Sequence, residues 1–324
     1  MGGRLATGLE RISHNLDDLR EPGFWAVIGT FESEWTLAKF SNVVESDLPV
    51  SAEAWQGIAA HGWKSSHDRD FYHRYVTHIR EKIADGDVYQ VNACRMLTAQ
   101  VSSDASLAGL FSSILQNNPA PFASYLRIPG LEIASASPEL FLKRTGGHVK
   151  SSPIKGTRPT GGAEFGSKDS AENVMIVDLI RNDLGQICKD GSIDVPRLLD
   201  VEVHPGIDHL VSDVVGVLKE NLSWHEIIKP LLPPGSVSGA PKSSAVKIIE
   251  EHEKARGVYC GAIGWIHGDT CELAVAIRTF WKEESTVKFG TGAGITWASD
   301  AASEWDETEL KAARLIKIAS GEIS

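Results

Sequence analysis

The residues best suited to chemistry in this 324-residue chain are two pairs of carboxylates. Asp169 and Glu172 lie three residues apart at the start of one predicted helix, and Glu304 and Glu307 lie three apart on another. Side chains at that spacing share a helix face, so four carboxylates can converge on a hard cation. Magnesium takes oxygen ligands and keeps several waters, which two direct carboxylates and two water-holding ones would suit. The same spacing fits two solvated helix faces. Carboxylates near a helix N-terminus complement the macrodipole, and Glu307 with Lys311 makes an ordinary i,i+4 pair.

A second candidate is Lys155, in the run Pro153-Ile154-Lys155-Gly156-Thr157-Arg158-Pro159. A desolvated lysine loses proton affinity and becomes a nucleophile, although most loop lysines are solvated. The glycine run Gly290-Thr291-Gly292-Ala293-Gly294 follows a predicted strand. It either brings backbone N–H groups close to an anion or makes a tight turn. It lacks the third glycine of a dinucleotide fingerprint, and no βαβ unit follows it. The run from Gly235 to Ser243 has the glycines, Lys242 and Ser243 of a phosphate loop at the wrong spacing, and Pro241 has no N–H to donate. A helix-entry turn, or a small-anion site at that helix N-terminus, remains. Glu139, His209 and Arg278 carry no signal taken singly.

Positioning these groups falls to mixed elements. Phe71, Tyr75, Ile79 and Ile83 recur every four residues before Gly86, predicting a helix over Arg69 to Asp85. Helices are also predicted from Asp169 to Leu184, closed by Gly185, from Ser243 to Arg256 and from Ala301 to Ala319. Strands are expected at Phe24 to Ile28, Trp35 to Phe40, Val88 to Leu97, Phe122 to Leu126, Leu131 to Ala136, Gly261 to Ile266, Leu273 to Phe280 and Thr286 to Gly290. The strand from Val88 should place Gln90 and Asn92 opposite Tyr89 and Val91. Glycine and proline content marks Thr145 to Gly166 as a loop.

The composition, 42% hydrophobic and 23% charged, is that of an ordinary globular protein. No linker or repeat divides it, so a single composite α+β domain over residues 1–324 is expected, with 1–68 a short N-terminal part and 69–324 the motif-bearing core. The net charge of -11 argues against a nucleic-acid binder. Cys94, Cys188, Cys260 and Cys271 have neither disulfide nor zinc spacing. No run of apolar residues is long enough for a signal peptide or a membrane span, so a cytoplasmic protein with no membrane partner is expected.

Read together, SPELF, PIKGTRP, AENVMIVDLIRNDLG, HLVS, GSVSGAPK, YCGAIGW, AIRTF, GAGI and EWDET, in that order between about Gly86 and Ile316, resemble the chorismate-utilising family. That family includes anthranilate synthase component I, aminodeoxychorismate synthase component I and isochorismate synthases. The resemblance implies two large antiparallel sheets with helices packed outside, enclosing a deep cleft. It implies Mg²⁺ held directly by Glu172 and Glu307, with Asp169 and Glu304 acting through waters. Tyr259 and Arg278 resemble residues that grip a substrate carboxylate with the backbone of Gly292, Ala293 and Gly294, and Lys311 completes the clamp. Gly156, Thr157 and His209 match positions lining the ring, and Glu139 matches the acid that protonates the departing C4 hydroxyl.

Two positions bear on the branch of the family. Lys155 stands where anthranilate synthases typically have alanine, and Gln90 where isochorismate synthases have a water-activating lysine. Together with Asn173 they imply the aminodeoxychorismate branch, in which the lysine adds covalently to chorismate and ammonia then displaces it. No amidotransferase segment is present in the sequence, so a glutamine amidotransferase subunit is expected to supply the ammonia. Anthranilate synthase component I is the nearest alternative. A chorismate-binding subunit without catalysis is the alternative of another class.

Overall fold

The computed structural model describes residues 1–47, 55–159, 161–162, 165–204 and 207–323. Its frame is two antiparallel sheets. The ten-stranded sheet runs in the order Arg4–Ser13, Trp35–Glu45, Phe24–Gly29, Ala262–His267, Thr270–Val275, Leu140–Thr145, His148–Ser152, Ile207–Val217 and Ile154–Pro159, with Asp194–His204 also paired to Ile207–Val217. The seven-stranded sheet runs Gly239–Ala240, Gln90–Gln100, Thr286–Ile295, Thr279–Glu283, Leu131–Ser137 and Phe122–Ile128, with Lys64–Ser65 added to Gln90–Gln100. The helices are α1 (Arg69–Ala84), α2 (Ala108–Asn117), α3 (Ser167–Ile187), α4 (Trp224–Ile228), α5 (Gly235–Ser238), α6 (Lys242–His252) and α7 (Ala301–Ala319). This is the α+β class expected from the sequence.

The long helices are set by caps and stripes. Asp68 accepts a hydrogen bond from the Phe71 N–H at 2.7 Å and so starts α1. That helix buries Tyr72, Tyr75, Val76 and Ile79, a stripe rotated slightly from the expected one, and Gly86 follows at φ +84°. Asp300 caps α7 through the Ser303 N–H at 2.9 Å. The buried stripe of α7 is Glu304, Thr308, Ala312, Leu315 and Ile318. Glu304 therefore points inward because it shares a face with apolar residues one to four turns on.

Several sequence expectations need correcting. Helix α3 runs through Gly185 to Ile187, and α6 ends at His252, so Arg256 lies beyond it. The presumed loop from Thr145 to Gly166 contains the strands His148–Ser152 and Ile154–Pro159. The strand of the glycine run extends to Ile295, beyond Gly290. The expected strand from Leu273 to Phe280 is two strands in different sheets, broken between Val275 and Thr279.

That break has a counterpart. Leu131–Ser137 lies in one sheet and Leu140–Thr145 in the other, so the chain crosses between sheets at residues 138–139 and again at 276–278. The two crossings are stitched together. Ser137 Oγ donates to the Val275 carbonyl at 2.6 Å, the Val275 N–H to the Glu139 carbonyl at 3.0 Å, and the Ala136 N–H to the Arg278 carbonyl at 3.0 Å. Near this junction a buried ion pair braces the second sheet. Arg256 donates to both carboxylate oxygens of Glu253 at 2.8 Å, to the Asn92 carbonyl at 2.7 Å and to the Val237 carbonyl at 3.0 Å.

Removing one member of a buried, fully bonded ion pair strands the other in low dielectric. Arg256→Ala should therefore cost about 3–5 kcal/mol, read as a lowered urea midpoint. A loss below about 1 kcal/mol, the range of an exposed pair, would show that the pair does not brace the sheet.

Candidate active site

The crossings carry Glu139 and Arg278 to the meeting of the two sheets. Glu139 is 4% exposed. Burial pushes its carboxyl up to about 7, against the pull of a Ser236 hydrogen bond and the charges of Lys155 and Arg278. Arg278 holds a left-handed φ of +51°, a costly conformation for a residue with a side chain. Burial draws its guanidinium below the ordinary value, and Glu139 opposes that.

Lys155 arrives from the strand Ile154–Pro159 and donates from Nζ to the Ser236 carbonyl at 3.0 Å. Burial lowers its pKa. The carboxylates of Glu139, Glu172 and Glu307 work in the other direction, and Lys311 adds to the lowering. Desolvation thus disfavours the charged form of both the lysine and Glu139, moving them toward a neutral amine beside a protonated acid. The next residue, Gly156, has φ +82°, and a Cβ there would sit 2.9 Å from the Phe165 ring and 3.1 Å from Asp169 Cβ. Only glycine fits where this strand passes the start of α3.

The glycine run lies in a strand with an open edge. The strand Thr286–Ile295 pairs with Gln90–Gln100 along its whole length, but its pairing with Thr279–Glu283 ends at Phe280 opposite Phe289. Past that point one strand edge has no strand beside it among the described residues. Backbone N–H groups of alternate residues in 290–295 face that edge, which opens beside Arg278. A Cβ at Gly290 would overlap the buried Tyr259 ring, and one at Gly294 would overlap the Gln90 amide. Burial pushes the Tyr259 phenol well above its ordinary range, keeping it a donor. Lys311 Nζ lies 2.6 Å from Glu307 Oε1 and donates to the Gly292 carbonyl at 3.2 Å. Lys311 thus makes the ordinary i,i+4 pair and reaches the glycine run at once.

The acidic residues come from α3 and α7. Glu172 and Glu307 both raise the pKa of the Lys155 amine, so charge from each helix reaches the same lysine. Asp169 Oδ2 accepts the Gly166 N–H at 3.1 Å and helps to cap its own helix. No three of the four carboxylates bring ligand atoms within 4.8 Å of one another. All four donors are hard carboxylate oxygens, the ligand type that Mg²⁺ takes, with water free to complete its shell. The residues fit Mg²⁺.

His209 is buried on Ile207–Val217, its backbone opposite Thr157. The Thr157 side chain lies outside the described residues. The phosphate-loop resemblance resolves differently: Lys242 Nζ bonds Asp183 at 2.7 Å and the carbonyls of Pro230 and Leu231 at 3.1 and 3.2 Å. It ties two segments together and faces no anion site. The residue missed by sequence reasoning is Ser236, which accepts from Lys155 and bonds Glu139. Its signal was the GSVSGAPK run, whose use as an acceptor depends on α5 turning its carbonyl toward a distant strand. Gln90, Val91 and Asn92 are all buried on a strand without a register shift, so both of its faces are covered, while Tyr89, just ahead of the strand, is 69% exposed.

Comparison with known proteins came to one answer at family level. Residues 34–317 match the family described as chorismate binding enzyme. The chain is 38% identical over 260 residues to an aminodeoxychorismate synthase of Streptomyces pristinaespiralis, covering 76% of this chain and 36% of that protein. It is 36% identical over 262 residues to anthranilate synthase component 1 of Saccharolobus solfataricus, covering 77% of this chain and 62% of the relative. It is 35% identical over 268 residues to aminodeoxychorismate synthase component 1 of Escherichia coli K12, covering 79% and 59%. The chain thus spans about a third to just under two thirds of the length of these relatives. Its fold superposes on anthranilate synthase component I from Streptococcus pneumoniae with a TM-score of 0.78 at 25% identity, covering 97% of this chain and 80% of the other.

The elevated Glu139 has a consequence for stability. Its folded-state pKa, about 7, exceeds the ordinary value of 4.5. The carboxyl therefore weakens the fold progressively as pH rises from about 4.5 to 7, and by a constant amount above that. Glu139→Gln should gain roughly 3 kcal/mol over the wild type at pH 8 relative to the same comparison at pH 4. Paired denaturant titrations check this; a pH-independent difference would mean that Glu139 titrates normally.

Proposed function

The chain belongs to the chorismate binding enzyme family, and we propose that it converts chorismate and ammonia to 4-amino-4-deoxychorismate through a covalent adduct on Lys155. The observation that carries this is the pairing of a desolvated lysine with a buried carboxyl near neutrality, both bonded to Ser236. The proposed reaction needs a neutral amine and a proton donor together. Burial favours that combination over the ion pair.

In the first step the Lys155 amine forms a bond to C2 of the ring, the ring double bonds shift, and the C4–O bond breaks. Glu139 gives its proton to the departing oxygen, which leaves as water. Ammonia then bonds to C4, the double bonds shift back, the C2–N bond to Lys155 breaks so that the lysine leaves as a neutral amine, and the new C4 ammonium returns a proton to Glu139. The enolpyruvyl group stays in place. Dividing one substitution into two lowers each barrier. Arg278, with a planar fork that matches a carboxylate, and the open N–H edge of residues 290–295 would hold the substrate carboxylates, with Tyr259 and Lys311 at their sides. His209 and Thr157 would line the ring.

Glu172 and Glu307 would hold Mg²⁺ directly, with Asp169 and Glu304 through waters; when bound, the ion neutralises charge on a substrate carboxylate. A glutamine amidotransferase subunit would supply the ammonia, consistent with the component I names of two relatives. Anthranilate synthesis remains the specific rival, since relatives of both names match comparably, and Lys155 is the residue that favours the present reading. A non-catalytic binding subunit would not need a buried lysine and glutamate held toward neutrality at the cost of stability.

Purified protein with chorismate, Mg²⁺ and an ammonium salt should give aminodeoxychorismate by chromatography with mass detection, and Lys155→Ala should lose most of that product or turn to anthranilate. Wild-type release of anthranilate with pyruvate, or of isochorismate, would overturn the assignment. Glu139→Gln keeps the shape but has no proton to give, so turnover should fall by about 10²- to 10⁴-fold. Turnover by the purified chain with glutamine as sole nitrogen source would remove the need for a partner.

A further inference from the structure

We propose that His78 on α1 and Glu251 and His252 on α6 form a second metal site, selective for zinc and separate from the carboxylate cluster. One ring nitrogen from each histidine and a carboxylate oxygen of Glu251 lie within 4.8 Å of one another, the one such group among the described residues. None of the three takes part in the site proposed for chorismate.

The ring orientations are those of ligands. His252 Nδ1 lies 2.9 Å from the Ile248 carbonyl, which can only accept, so Nδ1 carries the hydrogen and Nε2 keeps its lone pair. His78 Nδ1 faces Glu81 Oε2 at 3.7 Å, while its Nε2 is buried with no hydrogen-bond partner. His252, with its far nitrogen held by a carbonyl, has the usual arrangement behind a metal-binding histidine. Tyr75 stacks on the His252 ring at 4.7 Å and 7°, and its hydroxyl donates to Glu253 at 3.0 Å, fixing the ring plane. The two imidazoles lie 4.8 Å apart, tilted 31° to each other.

Two neutral imidazoles and a carboxylate suit zinc, with water completing the shell, whereas Mg²⁺ prefers oxygen alone. Zinc bond lengths of about 2.0–2.1 Å place tetrahedral ligands roughly 3.3 Å apart. The ion must therefore draw these atoms together by up to about 1.5 Å. Glu251 is exposed and His78 half-buried, so side-chain rotation can supply that movement. Binding would pin α6 to α1. Because Gly239–Ala240, just ahead of α6, pairs with Gln90 and Val91, it would also stiffen the wall of the cleft.

The test is zinc titration of the chelator-stripped full chain in saturating Mg²⁺ by calorimetry, with cobalt(II) absorption reporting nitrogen ligation. It is repeated in a Glu172→Gln, Glu307→Gln background to remove the carboxylate cluster. One equivalent should bind in both backgrounds and raise Tm. His78→Gln and His252→Gln should weaken it by at least the roughly 10- to 100-fold that an outer-shell change costs, while Mg²⁺-dependent turnover of chorismate stays at the wild-type level. Glu251→Gln, a surface change that the fold tolerates, should weaken binding as well. Zinc uptake that disappears with the carboxylate cluster, or that survives loss of either histidine, would overturn the proposal, as would no uptake at all.

Discussion

Everything at the candidate site depends on the chain crossing twice between two sheets at one place. Peptide groups leaving a sheet must find partners elsewhere, because an unpaired buried N–H or carbonyl is costly. Here the two crossings satisfy each other. Ser137, Val275, Glu139, Ala136 and Arg278 exchange hydrogen bonds across the junction. The backbone atoms of Glu139 and Arg278 belong to this exchange, so their side chains are fixed by the same bonds that join the sheets. The left-handed backbone of Arg278 is a strain that the surrounding ladder holds in place.

Burial does two opposite things around that junction. At Arg256 and Glu253 it encloses an ion pair whose hydrogen bonds are filled, including the carbonyls of Asn92 and Val237. Such a pair is held rigidly by its filled hydrogen bonds. At Lys155 and Glu139 burial is not compensated to the same degree, and both groups move toward their neutral forms. The difference is one of hydrogen-bond supply: Glu253 accepts from a guanidinium fork, the Tyr75 hydroxyl and the Cys94 N–H, whereas Glu139 has one side-chain bond, from Ser236. With so few donors, burial is free to push the Glu139 carboxyl up.

Local signals made much of this legible in the sequence. The helix carrying Glu304 and Glu307 was set by its apolar period, and α1 by its period and Gly86. The carboxylate pairs, Lys155 and the glycine run were visible as residue types at suggestive spacings, and the order of nine segments tied them to one family. The crossings were not legible, because a strand leaving one sheet for another keeps its extended conformation and apolar character. Leu273 to Phe280 therefore reads as one strand. Nor could spacing show that Ser236 meets Lys155, since that contact joins residues 81 positions apart.

The glycine run shows why the same residues read ambiguously before the fold is known. As a turn, Gly290 to Gly294 would need positive φ angles, yet none of its glycines has one. They are glycines in an extended strand, required because Tyr259, Cys94 and Gln90 occupy the space where side chains would stand. Close approach on one side and a missing neighbour strand on the other leave the backbone itself as the surface of the cleft. That arrangement is weak as sheet, since glycine gives a strand little to pack, and it is stabilised from outside by Lys311 of α7 bonding the Gly292 carbonyl. The helix that contributes Glu304 and Glu307 thus also holds the strand with the open edge, so the carboxylates and that edge are mechanically joined.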